Sequence, residues 1–212
     1  QALEGVAVEV AAEQLLLPYT GTQSQIAAGV NYPEHGKEVQ VRESFLFPKQ
    51  VESTAFNAAV PARDHLLDYE VELGFVALEP LVRNVLPRYL GLVLASDYTD
   101  RAMLMRHMRL TDVSSGEGFT QGKSLAGSMP IGNLLVIPLD YERFYRTLQL
   151  HLWHNGHPRQ DARPSEMTWD IHRILSESFA REGRQWTWNG APVELPVKNA
   201  AIPARTLILS GT

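Results

Sequence analysis

Two hundred and twelve residues, 44% hydrophobic and 20% charged, suffice for one domain with its own core and are too apolar for disorder. A formal net charge of −5 argues against a nucleic-acid partner, and zero cysteines exclude a disulfide scaffold, a thiolate metal site and a cysteine nucleophile. The longest strongly apolar stretches, such as Leu90–Ala95 and Leu134–Ile137, fall far short of the ~20 residues of a membrane helix. We therefore expect no membrane partner and a cytoplasmic location, although a start at Gln1 rather than Met leaves a processed terminus and a removed targeting segment open.

In chain order, residues 1–28 combine Val6, Val8 and Val10 with Leu15–Leu17 and suit either strand or helix. Ile26–Asn31 reads as a strand entering a tight site, and Pro33–Glu38 as one helical turn opened by proline. Phe45 and Phe47 alternate in a strand over Ser44–Pro48. The clearest strand is Leu67–Leu78, where Tyr69, Val71, Leu73 and Phe75 alternate with Asp68, Glu70, Glu72 and Gly74. Leu90–Ser96 is apolar on both faces and suits an internal strand. A helix is predicted over Arg101–Arg109, with Ala102, Met105 and Met108 on one face, and another over Thr168–Arg181. Leu134–Ile137, Leu148–Trp153 and Thr206–Leu209 are further strand candidates. Strands dominate without a βαβ rhythm or any internal repeat, so the expected fold class is β-rich α+β with long functional loops.

Glu70 and Glu72 lie one residue apart on a strand, so both carboxylates share a face, roughly 6–7 Å apart along the chain. Like charges so placed repel unless the face is solvated or a cation sits between them, and Glu-x-Glu alone also fits a wet strand face. Asp97 closes an apolar strand, where a side chain can serve a site or cap the following helix. Three carboxylates without a neighbouring His or Cys would favour a hard cation such as Mg²⁺, Mn²⁺ or Ca²⁺ over Zn²⁺.

Of the 19 basic residues only Lys37, Lys49, Lys123 and Lys198 are lysine, and Lys123 stands in Gln121-Gly122-Lys123-Ser124. No glycine stands five positions before Gly122, which rejects a Walker loop and leaves a glycine-flanked lysine on a loop. His35 and Glu38 are three apart on the predicted turn, where a carboxylate can orient an imidazole as a base or simply form a surface ion pair. His151, His154 and His157 surround an Asn155-Gly156 turn and are expected around a hairpin rather than on one metal. Trp153, Trp169, Trp186 and Trp188 read as core or rim.

Four segments in order, Asn31-Tyr32-Pro33-Glu34-His35-Gly36-Lys37-Glu38, Leu67-Asp68-Tyr69-Glu70-Val71-Glu72-Leu73, Ser96-Asp97-Tyr98-Thr99-Asp100-Arg101, and Gly122-Lys123-Ser124 with Pro130-Ile131-Gly132, resemble the fumarylacetoacetate hydrolase family. The resemblance implies that family's mixed β-sheet roll over residues 26–212 behind an N-terminal segment of residues 1–25. It further implies a homodimer, a Mg²⁺ or Mn²⁺ ion and a small oxo-acid substrate. By motif position it makes Glu70, Glu72 and Asp97 metal carboxylates and Lys123 a catalytic lysine. His35 and Glu38 become the water-activating pair of acylpyruvate-cleaving members, and Arg101, Tyr32 and Thr212 substrate contacts.

The implied reaction is hydrolysis of a carbon–carbon bond in a 1,3-dicarbonyl acid through a stabilised enolate. A decarboxylase or isomerase of 2-oxo or 2-hydroxy-dienoic diacids, or an inactive metal-binding homologue, are the alternatives. Ser96 replaces the family's usual Asn, Ala126 its Asp and Gly127 its Thr. Ser210-Gly211-Thr212 stands where members continue into a Pro-x-Gly-Val loop, so a loop beyond Thr212 is expected.

Overall fold

A computed structural model describes residues 9–33, 43–61 and 66–212. After a 3₁₀ turn at Ala12–Gln14 come β1 (Ser24–Gly29), β2 (Phe45–Gln50), β3 (Thr54–Ala55), β4 (Leu67–Ala77), β5 (Leu81–Val82) and β6 (Leu90–Asp100). Helices α1 (Arg101–His107) and α2 (Phe119–Lys123), strand β7 (Pro130–Ile131) and helix α3 (Tyr141–Tyr145) follow. The hairpin of β8 (Leu150–His154) and β9 (His157–Ala162) precedes α4 (Ile171–Ala180), β10 (Gln185–Trp188), β11 (Ala191–Glu194), β12 (Ala201–Ile202) and β13 (Leu207–Leu209).

Seven strands form one mixed sheet in the order β2-β1-β13-β4-β6-β7-β3. β1 with β13 and β3 with β7 are parallel, and the other neighbours antiparallel. The fold is β-rich α+β, as the alternation predicted. β4 and β6 pair over their full lengths, from Leu67 opposite Asp100 to Ala77 opposite Leu90. Val71 to Ala77, apolar but for Glu72, and Leu90 to Val93 are buried; the other halves carry Asp68, Glu70, Asp97 and Asp100. Core and site are thus two ends of one hairpin.

The sheet curls into a roll. β2 and β6 are four places apart in strand order, yet Lys49 on β2 reaches Asp97 on β6. α2 plugs the roll: Phe119 stacks edge-on against Phe45 at 4.8 Å and lies 5.5 Å from Phe47. One helical turn later, on the same face, comes Lys123.

Gly122 lets α2 approach α1. A Cβ there would come within 2.6 Å of the Leu104 Cβ and 3.0 Å of the α1 backbone. Gly122→Ala should therefore lose about 1–2 kcal/mol in chemical denaturation, despite alanine's better helix propensity of about 1 kcal/mol. A gain in stability would mean that α1 and α2 are not held at this separation.

Several sequence expectations need correction. Leu134–Ile137 is not a strand; only Val136 bridges to Leu92. α1 buries Leu104, whereas Met105 faces solvent. β6 continues through Ser96 to Asp100, so Asp97 lies inside the strand, and it is Asp100 whose carboxylate caps α1 by accepting the Met103 N–H at 2.9 Å. Lys123 ends a helix instead of riding a loop. The Thr168–Arg181 helix is present as α4, capped by Asp170. Asn155 and Gly156 turn the β8–β9 hairpin with His154 opposite His157, so the three histidines do flank a turn. The predicted Pro33–Glu38 turn lies, beyond Pro33, outside the described residues, as do Val6 and Val8.

A buried carboxylate cluster and its cavity

Antiparallel pairing sets Glu70 directly opposite Asp97, with Glu72 two residues on along the same face and opposite the small Ala95. Oxygens of Glu70, Glu72 and Asp97 all lie within 4.8 Å of one another. Only 1% of Glu72 and of Asp97 is exposed, so the wet-face reading of Glu-x-Glu does not hold. Two buried carboxylates beside a third are costly unless positive charge balances them.

Two lysines supply part of that charge. Lys123 Nζ lies 2.7 Å from Asp97 Oδ2 and 3.3 Å from Glu70 Oε2, while Lys49 Nζ donates to Asp97 Oδ1. Burial would raise the Asp97 carboxyl, but the Lys123 and Lys49 charges overcome it and hold it at about 2. Burial opposes the charge on Lys123 as well, and Asp97, Glu70 and Glu72 more than compensate, keeping its ammonium charged above the usual lysine range.

Glu72 is the exception. Burial, then the neighbouring Asp97 and Glu70 charges, push its carboxyl well above the ordinary value of 4.5; Lys123 and the Gly211 N–H, which donates to Oε2 at 2.6 Å, offset only part. Gly211 can make that bond because its φ of +68° and close approach to Ala28 tolerate no side chain. An all-carboxylate donor set that would carry one negative charge in excess if fully ionised, with one member under strain as an anion, fits a hard divalent cation. Glu70, Glu72 and Asp97 are the residues that would hold it.

Glu72 also yields a pH prediction. With its folded value raised, the native state keeps a proton that the unfolded chain has lost, so chelator-treated protein loses stability as pH rises from about 5, at up to about 1.4 kcal/mol per pH unit. Thermal melts across pH, with and without Mn²⁺, test this. A cation that replaces the proton removes the slope, and a melt independent of pH in EDTA would contradict the account.

A cavity of about 400 Å³ opens at the polar end of β4, lined among the described residues by Tyr32, Glu70, Arg101, Arg159, Gln160 and Thr212. Arg101 is fixed by Asp68, whose Oδ2 accepts from its Nε at 2.7 Å. Burial favours the neutral acid, yet the Arg101 charge holds the Asp68 carboxyl below its usual value. Burial raises the Tyr32 phenol far above its ordinary range. Asn31 seats Tyr32 and the chain end together: its Nδ2 donates to Trp169 O at 2.9 Å and Ser210 O at 2.7 Å. Thr212 Oγ1 donates to Val71 O at 3.3 Å, and the Gln160 amide pairs with both Val71 N–H and C=O at 2.8 Å, docking the β8–β9 hairpin beside the carboxylates.

The structure thus brings Tyr32, Glu70, Arg101 and Thr212 to one cavity, with Glu72, Asp97 and Lys123 grouped behind Glu70. His35 and Glu38 lie outside the described residues. Sequence reading overlooked Lys49, Asp68 and Gln160. For Lys49 a signal existed: it continues the Phe45–Phe47 face by one further pleat.

Residues 24–212 match the model of the fumarylacetoacetate hydrolase C-terminal domain. An uncharacterized protein of Staphylococcus aureus (strain USA300) is 29% identical over 77% of this chain, which spans only 55% of that relative's length. Among solved structures, a fumarylacetoacetate isomerase/hydrolase from Oleispira antarctica, itself so described on a provisional basis, superposes with a TM-score of 0.65 at 20% identity, over 89% of this chain and 79% of that one. The 5-carboxymethyl-2-hydroxymuconate delta-isomerase of Mycobacterium smegmatis gives 0.61 at 20% identity, over 91% and 66%. The 2-hydroxyhepta-2,4-diene-1,7-dioate isomerase of Mycobacterium marinum gives 0.59 at 20% identity, over 91% and 64%. No helix among the described residues is long and apolar enough to cross a membrane.

Proposed function

Because the chain belongs to the fumarylacetoacetate hydrolase family, we propose that it is a divalent-metal-dependent hydrolase cleaving a carbon–carbon bond in an acylpyruvate-type 1,3-dicarbonyl acid. The observation that carries this is the convergence of Glu70, Glu72 and Asp97 with Lys123 held on two of them, behind a cavity bearing Arg101. Mg²⁺ or Mn²⁺, held by the three carboxylates, supplies Lewis-acid stabilisation of negative charge on substrate oxygen when bound.

The chain's own groups do the rest. Arg101, braced by Asp68, presents a fixed positive charge to the substrate carboxylate. Tyr32 and Thr212 border the same space and position the dicarbonyl chain. His35 and Glu38 take the proton of a water that adds to the distal carbonyl carbon. The bond from that carbon to the central methylene then breaks, its electron pair forms the pyruvate enolate, and Lys123 opposes the charge where it develops. A proton returned to the enolate carbon gives pyruvate and a carboxylic acid.

The isomerase names of the solved relatives support a second reading, in which the same groups stabilise an enolate without delivering water. Single-turnover product analysis separates the two. Equimolar pyruvate and carboxylic acid support hydrolysis; carbon dioxide, or a tautomer with its carbon skeleton intact, contradicts it.

A homodimer is part of the proposal. Leu94, half exposed on β6, borders an apolar groove shared with Leu92, Leu134, Val136, Phe144 and Leu148, a face that a second copy would cover. Sedimentation should give a dimer that Leu94→Asp shifts to monomer; an unchanged mass would place the contact elsewhere.

A further inference from the structure

Lys49 is fully buried, with 0% exposure, on the same face of β2 as Phe45 and Phe47, where an apolar side chain would serve the core better. Its Nζ meets Asp97 Oδ1 while Lys123 Nζ holds Oδ2 at 2.7 Å. With an Nζ on each oxygen, the Asp97 carboxylate cannot rotate without breaking one contact; burial pulls the Lys49 ammonium below the usual lysine range, and the Asp97 charge opposes that pull. Once a divalent cation displaces the proton on Glu72, three carboxylates, two lysines and the cation sum to one positive charge.

We infer that Lys49 is a positioning residue that fixes Asp97 and adds a second positive charge to the cluster, so that the site binds a divalent cation loosely alone and tightly together with a chelating oxyanion. This rests on the metal reading proposed above. A cluster without Lys49 is neutral once the cation is bound and attracts an anion far less. A cluster with it stays positive and favours a dianionic ligand such as an oxo-acid enolate. Metal and anion therefore bind cooperatively, each raising the affinity of the other by the same factor. A unit charge buried a few ångströms away shifts each affinity roughly tenfold to a hundredfold.

The test uses the whole chain, with Mn²⁺ and oxalate as probes in calorimetric titrations. Lys49→Met should bind Mn²⁺ alone at least about tenfold more tightly, and oxalate on the Mn²⁺-loaded protein at least about tenfold more weakly. Lys49→Arg should return both constants toward wild type. A purely structural lysine predicts that both affinities weaken together, and that result, or no change in either, overturns the inference while leaving the metal site standing. Failure of the wild-type chain to bind Mn²⁺ overturns the metal reading and this inference with it. Should the variants not fold, titrations of the wild type decide the matter: oxalate should raise Mn²⁺ affinity at least about tenfold, and Mn²⁺ oxalate affinity by the same factor. Independent binding of the two overturns the inference.

Discussion

Asp97→Asn should lower Mn²⁺ affinity by about 100-fold or more and also destabilise the fold. The amide keeps the shape of the side chain, so the effect isolates charge. Partners outside the ligand set are typically worth about 10–100-fold in metal affinity, and a direct carboxylate should exceed that. The stability loss has a separate cause: Lys49 and Lys123 both rest on Asp97, one on each oxygen, and both are buried. Removing the anion leaves two ammonium groups short of countercharge, a change that typically costs about 3–5 kcal/mol when one partner of a buried pair is lost. Titration calorimetry and chemical denaturation read the two effects independently. Intact Mn²⁺ affinity with reduced stability would make Asp97 a partner of the lysines alone, and the cation would then belong elsewhere.

Lys123→Met should do the opposite to the metal. Removing an ammonium 2.7 Å from Asp97 and 3.3 Å from Glu70 leaves the three carboxylates to the cation, so Mn²⁺ affinity is kept or raised. Turnover should fall about 10²–10³-fold, the usual loss when one fixed group facing a developing oxyanion is removed. The fall should appear in kcat more than in KM, because the charge Lys123 opposes is greater in the transition state than in bound substrate. A variant with unchanged kcat and weakened metal binding would reverse the assigned roles.

How far the sequence reveals this arrangement depends on the element. β4 was legible because its Tyr-Glu-Val-Glu-Leu alternation has one period and one meaning, and it places Glu70 and Glu72 on a common face without ambiguity. Asp97 stands out in the sequence at the end of an apolar run, but the structure sets it inside β6. Ser96 to Asp100 is polar enough to suggest a loop, and pairing against Leu67–Val71 of β4, with the Tyr98 N–H bonded to Ser128 O on the other side, keeps it extended. Local propensity cannot see a partner strand.

Lys49 was lost for a related reason. Pro48 signals the end of a strand, yet β2 is the edge of the sheet, where a residue without an N–H is tolerated. Gly122 suggested a loop around Lys123; the glycine instead serves the contact with Leu104, a tertiary constraint invisible in a short window. The ring of groups around the cavity draws on Tyr32, Arg101, Gln160 and Thr212, brought together from distant parts of the chain. Motif order supplied three of them through the family resemblance. Gln160, whose role is to pair with the Val71 backbone, has no signature in sequence.

Metal-dependent hydrolysis is read from the enol absorbance of a small acylpyruvate with added Mg²⁺ or Mn²⁺, and again with excess EDTA. Absorbance should fall only with the cation present, accompanied by stoichiometric pyruvate. Turnover that persists in EDTA, or no turnover while the cation is demonstrably bound, would contradict a metal-dependent acylpyruvate hydrolase.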